Sequence, residues 1–159
     1  MHSSMRRPSG FTFIEAMIVV AILGLLAAVA IPQFTSNKEE GQAASMASNL
    51  AMLRSAIDRY WTQHDDFPGP TVPEFETQLL GKTDKAGNVG NGDESSYGPY
   101  LGGETIPTNP ISDSADVKIV DAMPHAADDT SAWVYCKLTG EIRSNATGKT
   151  LDGVAYFDL

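Results

Sequence analysis

The first part of the chain shows a continuous apolar pattern. Between Phe11 and Ile31 every residue is apolar except Thr12, Glu15 and Gly24. A helix rises about 1.5 Å per residue, so this run of about 21 residues is roughly 32 Å long, enough to cross the hydrocarbon core of a bilayer. The pattern therefore predicts a transmembrane helix over residues 11–34.

The pattern changes to an amphipathic one over residues 35–64. The apolar positions step by three or four, as on one face of a helix: Met46, Leu50, Leu53, Ile57, Tyr60 or Trp61, and His64. Pro68 and Pro70 prevent the helix from continuing. We therefore predict one long helix from Phe11 to His64, whose second half packs on a globular body formed by residues 65–159.

The globular body begins with turn-rich sequence and ends with short β-patterns. "VPEFETQLLG" predicts a short helix that stops at Gly81, residues 82–99 predict an exposed loop, and residues 100–111 predict an extended connection. Strand patterns occupy residues 116–120, 132–138, 141–145 and 154–159, with a turn around Thr139 and Gly140. The predicted fold is α+β, with a small antiparallel sheet of three or four strands packed on the long helix.

Charge separates the two ends of the chain. The 159 residues carry a net charge of −9, which argues against a nucleic-acid partner because such binding needs clustered Lys and Arg. Arg6 and Arg7 precede the apolar run. Positive residues favour the cytoplasmic side of a membrane. This predicts a single-pass membrane protein with a cytoplasmic N-terminus and a globular body outside the cytoplasm.

The sequence contains no pattern typical of a catalytic site. The histidines are His2, His64 and His125, and no spacing pairs a nucleophile with a base, so we predict that the chain is not an enzyme. Cys136 is the only cysteine, which excludes a disulfide within the chain and favours a small buried side chain in a strand.

Three residues are unusual in an apolar membrane helix. A carboxylate at the helix centre costs about 2.5–3.5 kcal/mol by insertion scales, so Glu15 needs a partner, or else it is protonated or reaches back to the headgroups. Gly24 lowers helix propensity by about 1 kcal/mol relative to alanine. Pro32 removes a backbone hydrogen bond. Either these two residues mildly kink the helix or they allow local loss of helical order.

The segment "GFTFIEAMIVVAILGLLAAVAIPQF" resembles the N-terminus of type IV pilins and of the pseudopilins of type II secretion systems. The resemblance implies that residues 1–10 are a leader, which a prepilin peptidase removes by cutting after Gly10. Phe11 then becomes the N-terminus and its amine is methylated. The resemblance also implies that Glu15 pairs with the Phe11 amine of a neighbouring subunit, and that the Gly24–Pro32 stretch can lose helical order during assembly.

The resemblance implies a structural subunit that polymerises into a pilus-like filament. The expected partners are the membrane, other copies of the chain, the prepilin peptidase and an inner-membrane assembly platform, with the head in the periplasm or on an extracellular filament. The single cysteine and the compact body favour a type II secretion pseudopilin, whereas "AIPQF" favours a type IV pilin. A signal-anchored extracytoplasmic binding module is the further alternative.

The resemblance also raises the question of a metal, because major pseudopilins often hold calcium in a late loop. The stretch from residue 112 to 129 contains oxygen-bearing side chains that suit calcium: Ser112, Asp113, Ser114, Asp116, Asp121, Asp128 and Asp129. Their spacing is not that of an EF-hand. We expect a solvated acidic loop without a cofactor, with calcium as the alternative.

Overall fold

The computed structural model describes residues 10–90 and 96–159, and the side chains of all of these except residues 29–36. The chain divides into two units between Lys38 and Glu39. Helix α1 runs from Phe13 to His64 and contributes to both units. This confirms the prediction of one long helix that begins near Phe11 and ends at His64.

The second unit has two helices and one sheet. Helix α2 spans Val72–Leu80 and is followed by Gly81, as predicted. Strands β1 (Val117–Val120), β2 (Trp133–Cys136) and β3 (Ile142–Ser144) form a sheet in the order β1-β2-β3. The predicted α+β class is confirmed, because α1 supplies one layer of the core and this sheet the other.

The buried stripe on α1 follows the predicted spacing. Met46, Leu50, Leu53 and Ile57 have almost no exposed surface. At the position that the pattern left open, Tyr60 is only 3% exposed and Trp61 is 51% exposed, so Tyr60 continues the stripe. Against the stripe pack Phe75, Leu79, Trp133, Tyr135 and Ile142.

The prediction that the sheet is wholly antiparallel is wrong. Strand β1 pairs with β2 in parallel, from Val117 opposite Trp133 to Val120 opposite Cys136, and only β2 and β3 are antiparallel. The length of the connections explains the difference. Residues 137–141 form a connection short enough for a hairpin between β2 and β3. Residues 121–132 form a connection long enough to return the chain to the end of the sheet where β1 began, so that β2 runs in the same direction as β1.

The last predicted strand is also wrong. Within residues 154–159 the chain forms a single bridge, Lys149 with Ala155, and then a short 3₁₀-helix over Tyr156–Asp158. A strand would point Tyr156 and Phe157 to opposite faces. In the tighter turn both side chains are buried, and the Arg143 guanidinium lies 4.9 Å from the centre of the Phe157 ring.

The predicted exposed loop and the predicted extended connection each contain a fully buried polar residue. Thr83, in the loop after α2, pairs with both Val89 and Tyr97. Asn109, in the extended connection, donates from Nδ2 to the Ala132 carbonyl and to Ser144 Oγ, both at 3.0 Å. Asn109 Oδ1 accepts from the Ile111 amide at 3.0 Å. Asn109 therefore ties the connection to the sheet.

Candidate processing and assembly site

The predicted cleavage junction lies outside the helix. Gly10, Phe11 and Thr12 precede α1 and are exposed, with Phe11 78% exposed. Residues 1–9 of the predicted leader lie outside the described residues. The Gly10–Phe11 bond is thus in an exposed, non-helical backbone directly before the helix.

Thr12 and Glu15 form a reciprocal cap at the start of α1. Glu15 Oε2 accepts hydrogen bonds from the Thr12 amide at 2.8 Å and from the Thr12 hydroxyl at 2.7 Å. The Glu15 amide donates back to Thr12 Oγ1 at 3.3 Å. This arrangement satisfies backbone donors at the helix start and places a negative charge near the positive end of the helix dipole.

The capping role of this pair was missed in the sequence, although a signal for it is present. Thr12-Phe13-Ile14-Glu15 has the T-x-x-E spacing of a capping box directly before an apolar run. The cap gives Glu15 a polar partner within its own chain. Pairing with an amine from a second chain is a separate question, and a single chain does not test it.

The start of α1 presents a long apolar surface. Large apolar side chains between Phe13 and Leu26 are about half exposed or more, from 45% at Val19 to 81% at Phe13. Among the residues that the structure describes, no helix meets the length and hydropathy of a membrane span. The predicted span over residues 11–34 includes residues 29–36, whose side chains lie outside that description. It stays a prediction.

Gly24 and Pro32 lie within α1, which continues as a helix through both positions. A Cβ atom on Gly24 would contact nothing within 4 Å, so no close neighbour in this chain requires glycine there. The Pro32 side chain is among those outside the description. The proposed loss of helical order in this stretch stays a prediction.

The candidate calcium ligands form hydrogen bonds and ion pairs with different neighbouring residues. Asp128 accepts from Lys118 Nζ at 2.6 Å, from Asn145 Nδ2 at 2.7 Å and from the Thr130 hydroxyl at 2.6 Å. Lys118 first, then Thr130 and Asn145, hold the pKa of Asp128 well below its usual range. We call this set of four residues the Asp128 clasp. It joins the 121–132 connection to β1 and to the residue after β3.

Three of the remaining acidic residues have separate partners. Asp129 accepts from the amide and hydroxyl of Thr147, and these bonds lower its pKa. Asp121 pairs with Lys137 at 3.0 Å, and Asp116 accepts from Ser114. In residues 10–90 and 96–159 no three His, Cys, Asp or Glu side chains are grouped in a way that could hold a metal ion.

His64 and Cys136 both lie in the core. His64 closes the buried stripe, with Nδ1 3.0 Å from the Lys85 carbonyl and Nε2 2.9 Å from the Tyr100 hydroxyl. Cys136 is 1% exposed in β2, which confirms the expected small buried side chain, and its Sγ contacts the Asp121 carbonyl. Their surroundings are those of packed side chains.

The junction, the capped glutamate and the apolar helix face all fall within or beside one known sequence motif. Residues 5–31 match the family described as the prokaryotic N-terminal methylation motif. This match confirms the resemblance noted in the sequence. The motif covers the predicted cleavage and methylation positions together with Glu15 and Gly24.

Known proteins similar to the chain include members of both predicted groups. The type II secretion system core protein G of Aeromonas hydrophila is 38% identical over 63 residues, which is 40% of this chain and 44% of that protein. The core protein G of Pseudomonas aeruginosa is 35% identical over 77 residues, 48% of this chain and 53% of that protein. A fimbrial protein of Neisseria meningitidis serogroup B is 35% identical over 86 residues, 52% of this chain and 51% of that protein.

The chain thus spans about half the length of the relatives that it matches. No solved structure matches it.

Proposed function

We propose that this chain is a structural subunit of a pilus-like filament, with a type II secretion pseudopilus as the first candidate. A prepilin peptidase removes residues 1–10, the Phe11 amine is methylated, and the subunit polymerises through the start of α1. The observation that carries the proposal is the methylation motif at residues 5–31, joined to an exposed apolar helix face whose one carboxylate is Glu15.

The chemistry of assembly follows from the charges at the start of α1. Cleavage after Gly10 creates a cationic amine on Phe11, about one helical turn from Glu15. When apolar helices of several copies pack together, an unpaired carboxylate among them is costly. An amine from a neighbouring copy neutralises it, and loss of one member of such a buried pair costs roughly 3–5 kcal/mol. The pair therefore selects the correct register between copies.

Before assembly, the subunit is held in the inner membrane by residues 11–34, with the head outside the cytoplasm. Its partners are then other copies of the chain, the peptidase and an assembly platform in the inner membrane. The chain acts by polymerisation and not by catalysis, and its head needs no cofactor.

A type IV pilin is the second candidate, and the similarity to the Neisseria fimbrial protein over 52% of this chain favours it. Deletion of the gene separates the two candidates. Loss of protein secretion with normal surface pili and twitching supports the pseudopilin, and the reverse result supports the pilin.

The mature N-terminus tests the proposal itself. Intact-mass measurement and N-terminal sequencing of the membrane-extracted protein should give a chain that begins at methylated Phe11. A chain that keeps Met1, or one cut near Ala30, would instead identify a signal-anchored or secreted module and would refute the filament subunit.

A further inference from the structure

The sheet has a second face, opposite the one that packs on α1. Trp133 and Tyr135 of β2 belong to the core that α1 shares, so Val134 and Cys136, which alternate with them, point to the other side. Lys118 of β1 pairs with Val134 and lies on this outer face as well. Val134 and Cys136 are almost completely buried, so other parts of the chain must cover them.

Residues 121–131, which connect β1 to β2, supply part of this cover, and we call them the outer strap. At its start, Cys136 Sγ donates to the Asp121 carbonyl at 3.4 Å. Near its end, the Asp128 clasp holds the strap to Lys118 on the outer face of β1. The strap is therefore fixed to the outer face of the sheet at both of its ends.

The middle of the outer strap is weakly attached. No residue of the strap is fully buried. In the part of the chain that the structure describes, residues 122–127 make no hydrogen bond to another backbone group. A cavity of about 190 Å³ lies between residues 125–127 and Gly148 and Phe157. Few buried contacts and few backbone hydrogen bonds are features of segments that open locally while the rest of a domain stays folded.

The end of the outer strap has a strained backbone. Asp129 has a φ of 55°, in the left-handed region that favours glycine. Its carboxylate accepts from the Thr147 amide at 2.7 Å and from the Thr147 hydroxyl, both outside the strap. Such a conformation persists only while surrounding contacts hold it, so releasing these bonds would relax the backbone. Asp129 is therefore suited to act as a hinge.

We infer that the outer strap opens as a unit while the rest of the head stays folded, and that this opening exposes the Cys136 thiol. Opening breaks the Asp121–Lys137 ion pair and the Asp128 clasp but no contact of the core face. The residue after the strap, Ala132, stays with the sheet, because it is buried and its amide donates to the Asp116 carbonyl at 3.0 Å. The inference goes beyond the proposed function, because it concerns the single chain. The strap controls the reactivity of the only cysteine.

Thiol labelling of the detergent-solubilised full-length chain tests this inference. Cys136 is the only cysteine, so dithionitrobenzoate reports on it alone. Local opening exposes little surface, so the labelling rate should be almost constant at low guanidinium concentration and should rise only where the whole head unfolds. A rate that rises from the lowest guanidinium concentrations, with the slope of global unfolding, would overturn the inference.

Variants of the Asp128 clasp should speed labelling in a graded order. Lys118→Met removes a partly exposed ion pair and should raise the rate about two- to fivefold. Asp128→Ala removes the other hydrogen bonds of the clasp as well and should raise the rate at least about tenfold. Lys85→Met is the matched control, because it removes an exposed ion pair with Asp65 outside the strap, and it should leave the rate unchanged. Equal rates in the three variants would contradict the role of the clasp.

A cysteine on the core face separates opening of the strap from unfolding of the head. Cys136→Ala/Ile142→Cys places the only thiol at a fully buried position in the core that α1 shares. Without guanidinium this thiol should react at least about tenfold more slowly than native Cys136, because only unfolding of the head exposes it. Equal rates for the two thiols would show that the head opens as a whole and would overturn the inference.

Discussion

Replacing Asn109 with alanine should destabilise the head, although this residue lies in a turn-rich segment far from the patterned strands. The side chain is fully buried and makes three hydrogen bonds, two as donor and one as acceptor. Each bond contributes about 0.5–1.5 kcal/mol net, so their loss should lower the free energy of unfolding by about 3 kcal/mol.

Two of the three partners of Asn109 keep another hydrogen bond in the alanine variant. The Ala132 carbonyl still accepts from the Asn145 amide at 3.0 Å, and Ser144 Oγ still accepts from the Ala146 amide at 3.3 Å. These partners are therefore not left unpaired, and the further cost of a buried unsatisfied group does not apply to them.

Guanidinium unfolding of the detergent-solubilised full-length chain, followed by tryptophan fluorescence, measures the effect. Trp133 reports directly, because its Nε1 donates to the Pro107 carbonyl two residues before Asn109. Asn49→Ala is the matched control. It removes one hydrogen bond, to the Thr108 carbonyl, at a half-buried position and should change stability by about 0.5–1.5 kcal/mol. An equal loss of stability in the two variants would refute the proposed stabilising role of the buried Asn109 hydrogen bonds.

Three further predictions concern other parts of the chain. Glu15→Leu should leave leader cleavage and membrane insertion intact and reduce sedimented filaments; a normal yield would exclude the proposed pairing. Because the pKa of Asp128 is lowered in the folded chain, its contribution to stability should be complete above about pH 5 and should be lost as the pH falls further. Asp128→Asn should therefore make the stability depend less on pH in the acid range, and an unchanged dependence would contradict the role of the Asp128 clasp. Gly140→Ala should lower stability by about 1–2 kcal/mol or more, because φ is 70° and the new Cβ would clash with the Phe67 ring; an unchanged melting temperature would contradict that packing.

The sequence predicts those parts of the fold that depend on local pattern. The end of α1 at His64 follows from the prolines after it, and the stop of α2 follows from Gly81. The hairpin between β2 and β3 follows from the two strand patterns on either side of the turn at Thr139 and Gly140. In each case the residues that decide the structure lie within a few positions of it.

The parts that the sequence did not predict depend on residues distant along the chain. The parallel pairing of β1 is decided by the path of the 121–132 connection, which the Asp128 clasp fixes through Lys118 and Asn145. The burial of Asn109 depends on carbonyl and hydroxyl groups 23 and 35 residues away. Asparagine in a turn-rich stretch ordinarily indicates an exposed turn, and nothing local distinguishes this one.

The candidate site also has a part that the sequence predicts and a part that it does not. The apolar run and the cost of a carboxylate within it indicate that Glu15 needs a partner. The T-x-x-E spacing is a signal for the first partner, Thr12, but the sequence analysis missed it. A partner on another chain is outside what one sequence and one chain can determine. That assignment comes from the resemblance to pilins.

The cap on α1 has a consequence for proteolysis. Peptidases bind their substrates in extended form, and a bond inside a helix must be unwound before it can enter an active site. Because the cap makes the helix begin directly after Thr12, the Gly10–Phe11 bond lies outside the hydrogen-bonded turns. In the proposed function, the residues that begin the helix therefore also leave the adjacent bond ready to be cut, so that maturation does not require α1 to unwind.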